Sequence, residues 1–458
     1  MTATASLSRS ALAEVVRLRP FRRLWLVFGL SSLGDWLGLL ATSSFASAQL
    51  SSPAAQGAAF GGVIVVQLLP WLLLGPLAGV LADRYDRRHI MVSVDVTRFA
   101  LFASIPAVAA LTDEHAVAVG WAAVASFTAQ VGAMLWAPAK EAAVPNLLPA
   151  RRLETANQLT IITTYGVTPV LAALVFAGTS RLPAIGDGGA AVTALYFDAL
   201  TFLACAAVVG FGVREISGRG RAVPAEDSRA AIRAGLRCLA RTPLLRGLVV
   251  GLLGAFAGAG IVVGAARFYS RSLGGGDATF GLLFGGLFVG FGLGVLVGPQ
   301  VVGRLSRRRV FGLSVQLAAV GVVLLAVTPS PAVALPEVAL VGAGAGMAFL
   351  CGITLIGAEV PDDVRGRVFS LIQSMTRVVL LLTVAAAGTL AGLTSALRMT
   401  VGPVDVPVDG SRALYLLAGF CGMAVGRFAL RRMDDRSDIP LPRDVWHAVT
   451  RRADRERR

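Results

Sequence analysis

Long apolar blocks separated by short polar intervals make up the chain; narrow hydrophobic stripes on otherwise polar segments are rare. A hydrocarbon core is crossed by about 20 consecutive apolar residues in a helix. Six such blocks read at about Leu24–Gln49, Ala58–Ala82, Ile90–Leu111, Ala116–Pro138, Thr155–Gly178 and Ala191–Val213. Six more read at about Gly247–Tyr269, Ala278–Val302, Val310–Val327, Ala332–Ala358, Val368–Ala396 and Ala413–Met433. The first block is too long for the core of a signal peptide and has no convincing cleavage site, so it is expected to remain in the mature protein.

The longest interior polar stretch, Arg214–Arg246, separates the two sets of six. Residues 217–224 read as a linker. Glu226–Ala240 puts Ile232, Leu236 and Leu239 on one face and Arg229, Arg233 and Arg237 on another, the pattern of a helix lying on a membrane surface. The expected layout is an N-tail (1–20), a six-helix bundle (21–213), a linker with an amphipathic helix (214–246), a second six-helix bundle (247–433) and a C-tail (434–458). The fold class is all-α integral membrane, with twelve transmembrane helices in two pseudo-symmetric six-helix bundles.

Composition agrees. The chain is 55% hydrophobic and 15% charged, with mean hydropathy +0.71, where a soluble domain is about 25% charged. A net charge of +15 raises the question of nucleic acid. The placement of the cations answers it: 35 of the 42 Arg and Lys fall on the N-terminal side of the twelve-span layout. Four (Arg181, Arg271, Arg398, Arg412) fall on the other side, and Arg98, Arg267 and Arg377 fall inside spans. Such asymmetry places both termini in the cytoplasm of a plasma-membrane protein and argues against a nucleic-acid partner. Lys140 is the one lysine and lies in Ala137-Pro138-Ala139-Lys140-Glu141, so no GxxxxGK[ST] phosphate loop is present. Cys205, Cys238, Cys351 and Cys421 lie far apart, without disulfide or zinc spacing. His89, His115 and His447 are isolated and expected to face solvent. No cofactor, metal or enzymatic activity is expected.

One stretch carries a resemblance. Gly75 to Met91 ends an apolar block in small residues, passes through Asp83-Arg84-Tyr85-Asp86-Arg87-Arg88 and begins the next block at once. Gly79, Asp83, Arg84, Arg87 and Arg88 resemble the signature loop between helices 2 and 3 of the major facilitator superfamily. Asp86 stands where that loop usually has Gly, as in the drug and siderophore exporter branch. Gly298-Pro299 with Gly303-Arg304-Leu305-Ser306-Arg307-Arg308-Arg309 echoes the loop in the second half, without its acidic residue. Val144-Pro145-Asn146 with Arg151 is echoed by Val360-Pro361-Asp362 with Arg367. The resemblance covers about residues 20–433. Gly166-Val167-Thr168-Pro169 keeps the Pro of the Gly-Pro pair that exporters carry in helix 5, with Thr before it. Phe21-Arg22-Arg23-Leu24-Trp25, Gly34-Asp35-Trp36-Leu37 and Arg377 also resemble the membrane half of actinobacterial proteins that join a facilitator-type domain to a thymidylate kinase.

The resemblance implies a secondary transporter working by alternating access, with substrate held near the bilayer midplane between the halves. The leading expectation is proton-coupled export of a small amphiphilic compound by a monomer whose partners are that compound, protons and the bilayer. Uptake of a metabolite and a non-transporting module that anchors or regulates a partner enzyme are the alternatives. The resemblance also places Asp83 near Arg365-Gly366-Arg367-Val368, at the start of helix 11, as a conformational switch.

Ionisable side chains inside spans cost about 2.5–3.5 kcal/mol each at the bilayer centre, which makes them candidates for chemistry. Asp35 lies at mid-depth in the first span. Hydrocarbon disfavours the charged form of a carboxyl, so alternating water access could load and unload a proton there; a structural hydrogen bond to a neighbouring helix is the plainer role. Asp198 is expected nearer the outer face. Arg98 has Asp95 one turn earlier, which predicts a local ion pair. Arg377 has Gln373 one turn earlier and is a candidate to bind an anion or pair with a carboxylate. Arg267, near a span end, is expected to snorkel to water. Gly286, Gly290, Gly294 and Gly298 at four-residue spacing predict close helix packing.

Overall fold

The computed structural model describes residues 15–74, 86–148, 152–179, 189–212, 237, 242–301, 305–360, 362–395, 399–400, 407–435, 438–441 and 443–444. Twelve helices among them are long and apolar enough to cross a membrane. The first six are α1 (Arg19–Ala48), α2 (Pro53–Leu73), α3 (Arg87–Leu111), α4 (His115–Leu147), α5 and α6 (Gly189–Gly212). α5 consists of Leu153–Ile162 and Thr168–Thr179 joined by a π-helical turn, Thr163–Val167. The second six are α7 (Pro243–Ser272), α8 (Asp277–Val301), α9 (Arg307–Val327), α10 (Pro331–Glu359), α11 (Asp362–Leu393) and α12 (Gly410–Met433). Met399–Thr400 and Pro407–Val408 form a two-residue antiparallel pair before α12.

Local sequence explains where several helices begin. Ser52 accepts from the Ala55 amide at 3.2 Å, with Pro53 as the first helical residue. Asp86 accepts from Arg88 and His89 amides at 3.0 and 3.2 Å; Ser306 and Asp409 cap α9 and α12. These side chains satisfy amide donors that the first helical turn leaves without partners. Asp86, which replaces a Gly in the resembled loop, is therefore the N-cap of α3. Helices overrun the apolar blocks: α4 continues to Leu147, and α11 begins at Asp362, before the apolar block at Val368. Hydropathy marks where hydrocarbon ends, whereas the backbone ladder can continue into water.

The chain forms two compact units, Met1–Pro224 and Ala225–Arg458. In the first, α1 packs on α2, α5 and α6, α3 on α4 and α6, and α2 on α4. In the second, α7 packs on α11 and α12, α9 on α10 and α12, and α8 on α10. Numbered from the start of each unit, five pairings are the same, which is what a duplicated six-helix unit requires. The glycine spacing in α8 has the predicted use. A side chain at Gly290 or Gly294 would collide with the Ala339 or Ala343 carbonyl of α10, and one at Gly342 or Gly346 with Leu287 or Phe291 carbonyls of α8. Backbone meets backbone from both sides, the close approach that small residues permit. Large apolar residues remain open to the surroundings, Leu111 and Phe211 at 86% and 84% exposed, as hydrocarbon-facing helices require.

Arginines close helix ends in both units. Arg88 donates to the carbonyls of Val209 and Gly210, and Arg23 to that of Gly212, at the C-terminal end of α6. Arg412 is buried and donates to the carbonyls of Ala326 and Thr328 at the end of α9, and to Ser272 Oγ at the end of α7. A cation at a helix C-terminus meets both unpaired carbonyls and the negative end of the dipole. Arg267 is buried rather than snorkelling; its guanidinium lies 3.6 Å from Asp277. His89 and His115 are exposed, as expected. Cys205, Cys351 and Cys421 are free thiols. Gly79, Asp83, Arg84, Cys238, Arg304, His447 and all of the 226–240 segment except Arg237 lie outside the described residues, as do the side chains of 362–367.

Candidate functional site

The intramembrane charges of the first unit gather in one layer where α1, α3, α4 and α6 meet. Arg98 reaches across from α3 and pairs with Asp35 of α1. The predicted local pair with Asp95 is replaced: Asp95 turns to α4, where its Oδ2 accepts from Trp136 Nε1 at 3.2 Å. Residues three apart on a helix share a face, but the shared face here looks onto two different neighbours, and each side chain takes its own. The other side of the Arg98 guanidinium lies 3.8 Å from the centre of the Phe202 ring of α6, a cation–π contact. Phe202 stacks on Phe102 at 5.6 Å.

Asp198 belongs to the same layer, not nearer the outer face. Its Oδ1 and Oδ2 lie 2.8 Å from where side chains would begin at Gly34 and Gly38. The two glycines flank Asp35 and open a notch in α1 that the carboxyl of α6 fills. Asp198 is fully buried and neither oxygen has a hydrogen-bond partner. Arg98 and Asp35 are close enough to act on it electrostatically. Arg98 is 1% exposed and the Asp35 side chain 42%. Among the described residues the layer therefore holds three carboxyl groups and one guanidinium, and Asp35 is the member open to the surroundings.

Next to Asp35, α1 grips the π turn of α5. Trp25 Nε1 donates to Thr163 Oγ1 at 3.0 Å, Trp36 Nε1 donates to the Thr164 carbonyl at 3.0 Å, and Ser32 and Thr168 share a hydroxyl bond at 2.8 Å. Pro169 explains the turn. A proline offers no amide and crowds the carbonyl four residues earlier, and a π turn widens the ladder at that place. The Pro retained in the sequence motif thus sits in the first turn of the helical segment that follows the π turn, which is bound by the helix that carries Asp35.

In the second unit Gln373 Oε1 accepts from Arg377 Nη2 at 3.3 Å, one turn apart on α11. Gln373 is exposed and Arg377 half-buried. Arg87 and Arg88 are at the first turn of α3, with Arg88 committed to the α6 end. Sequence reasoning missed Trp136, Phe202, Gly34 and Gly38. The glycines had a signal in their four-residue spacing around Asp35; the aromatic partners had none.

Comparison with known proteins gives three kinds of match. Residues 10–454 match the family described as Transmembrane secretion effector. The chain is 27% identical over 386 residues to the uncharacterized MFS-type transporter YfiS of Bacillus subtilis, covering 79% of this chain and 84% of that protein. A shorter match, 32% identical over 111 residues, links 24% of this chain to 33% of Macrolide efflux protein A of Enterococcus faecalis. The crystal structure of a D-xylose-proton symporter superposes with a TM-score of 0.68 at 14% identity, covering 92% of this chain and all of that one; at that identity the likeness is one of fold. The resemblance to kinase-fused proteins gains no support from these relatives.

Proposed function

The chain belongs to the Transmembrane secretion effector family of the major facilitator superfamily, and from that premise we propose that it is a proton-coupled exporter of a small amphiphilic compound. That it is a multi-pass membrane transporter follows from the family and the twelve spans. Export is supported by the partial match to a macrolide efflux protein and by the resemblance of the Asp83–Arg88 loop. In the plasma membrane, with both termini in the cytoplasm, Asp83 would steady one conformation against the start of α11.

The observation that carries proton coupling is the Arg98–Asp35 pair with Asp198 beside it. One guanidinium balances one of three carboxylates, and a proton is the simplest further counter-charge. When Asp35 leaves Arg98 for water or substrate, Arg98 becomes available to Asp198. Protonation of one carboxyl and pairing of the other are then linked equilibria. The π turn gives α1 and α5 a place to adjust while Trp25 and Trp36 keep hold.

The test is transport in inside-out vesicles of the compound that most strongly inhibits a strain lacking the protein. Accumulation that needs the acid-inside gradient supports export. Loss of preloaded compound from the same vesicles supports uptake, and no flux in either direction supports a membrane anchor.

A further inference from the structure

Asp95 is the carboxyl of the charged layer that the coupling scheme leaves unused. It is fully buried, and its two oxygens are treated differently. Oδ2 accepts from Trp136 Nε1 at 3.2 Å. Trp136 is itself buried and set edge-on against Phe28, with ring centres 5.9 Å apart, so the carboxyl is held in one orientation. Oδ1 is buried and has no hydrogen-bond partner. Cys205 of α6, a thiol on which Asp95 acts electrostatically, donates to the Val27 carbonyl at 3.6 Å instead.

Three residues further on, Arg98 has the complementary defect. Its Nη2 pairs with Asp35, while its Nε is buried and has no acceptor. A buried donor without an acceptor and a buried acceptor without a donor each cost the desolvation of that group. Here the two are one turn apart on the same helix. Side chains three apart on a helix are neighbours, and an acid N-terminal to a base is the favourable order. Helical side chains also lean towards the N-terminus, so Arg98 lies over the turn that carries Asp95. The bond that would satisfy both atoms is not made while Asp35 holds the guanidinium.

The exchange needs little room. The guanidinium carbon lies 3.8 Å from the centre of the Phe202 ring, and a flat group stacked on a ring can turn in its own plane without leaving it. Arg has five N–H donors, so Nε can serve Asp95 while the Nη groups remain available to Asp198. No helix has to move, because donor and acceptor both belong to α3.

We propose that Asp95 is a positioning residue, the second station of Arg98: when Asp35 releases the guanidinium, Arg98 Nε donates to Asp95 Oδ1, and Trp136 keeps that acceptor in place. A cation left alone in an apolar interior is strongly unfavourable, so without a second station Arg98 would hold on to Asp35. The proposal rests on the proton-coupling reading only for the event that releases Asp35. The station itself is measured without cargo or gradient, so its failure and the failure of transport are separate results.

The experiment is a double-substitution cycle on the full chain, read as the unfolding equilibrium constant in mixed micelles. Asp35→Asn imitates the released state. Asp95→Asn keeps an oxygen for Trp136 and removes the charge that receives Arg98. Asp95→Asn is expected to raise the unfolding constant less than about threefold in the wild type and about tenfold or more in Asp35→Asn. Repulsion between two carboxylates would also make the substitutions non-additive. The cycle is therefore repeated with Arg98→Gln, where a coupling that runs through Arg98 must vanish. A second readout is the Trp136 indole N–H resonance in protein carrying nitrogen-labelled tryptophan, assigned by Trp136→Phe. It is expected to shift in Asp35→Asn and to keep its wild-type position when Arg98→Gln is added. Asp35→Ser serves if Asp35→Asn does not fold. Equal effects of Asp95→Asn in the two backgrounds, a coupling that survives Arg98→Gln, or an indole resonance that stays in place in Asp35→Asn would overturn the proposal.

Discussion

Arg98 and Asp35 form an ion pair whose two members differ in burial: the guanidinium is 1% exposed and the carboxylate 42%. The pair is thus hinged at its carboxylate. Arg98 is fixed from behind by Phe202, 3.8 Å away, whereas Asp35 has an open side towards which it can turn. Arg98→Leu removes the one cation from three carboxyls. It should lower thermal stability in detergent by about 1–3 kcal/mol, less than for a wholly enclosed pair because the Asp35 side chain is 42% exposed. Arg98→Lys should recover part of this, since an ammonium keeps the charge and loses the flat contact with the ring. A melting temperature in Arg98→Leu equal to that of the wild type would show that the pair contributes nothing to the fold.

Gly34→Ala tests the notch. Its new carbon would lie 2.7 Å from Phe202 and Thr201 and 2.8 Å from an Asp198 oxygen. Overpacking of this kind costs about 1–3 kcal/mol. Gly120 in α4 has nothing within 4 Å of the same position, so Gly120→Ala should gain up to about 1 kcal/mol of helix propensity. Thermal unfolding followed by α-helical circular dichroism separates the two. Equal shifts would mean that α1 and α6 are not held at contact distance by glycine.

Much of the fold was legible in the sequence, because hydrocarbon imposes a length and a composition on every crossing element. Helix number and the role of the α8 glycines followed from that. The site was legible only in part. Asp35, Arg98 and Asp198 stand out as charges in apolar blocks, but the pairing of Arg98 could not be read from spacing. Asp95 is its neighbour on the helix, and the choice of Asp35 is made by how α1 and α3 pack. The echo of the signature loop at residues 303–309 lacks an acidic residue, and the acid that serves it is distant in sequence. Arg309 binds both oxygens of Asp434, at 2.7 and 3.1 Å, along with Asp444 at 2.8 Å and the Ile439 carbonyl at 2.9 Å.

That cluster makes the segment after α12 a strap across the start of α9. Arg309→Ala should release it at a cost above about 1.4 kcal/mol, a tenfold rise in the opened population. A cysteine placed at Asp438 in a background free of other cysteines should then react faster with a soluble maleimide. Unchanged labelling would show that the strap is held by other contacts.

Charge placement predicts sidedness. With 35 of 42 cations on one side of the twelve-span layout, reporter fusions at positions 220 and 404 should report opposite compartments, with position 220 cytoplasmic. The same compartment for both would refute the layout.

Proton coupling as proposed requires Asp35 to exchange between Arg98 and a proton. The direct measurement is uptake into inside-out vesicles, driven by a pH gradient alone, of the compound that most strongly inhibits the deletion strain. Wild-type vesicles should concentrate it and lose it when a protonophore is added. Asp35→Asn vesicles should bring it only to equal concentration on the two sides, while exchange of bound and free compound continues. Concentration against the gradient in Asp35→Asn at the wild-type level would contradict the account and leave Asp35 a structural partner of Arg98.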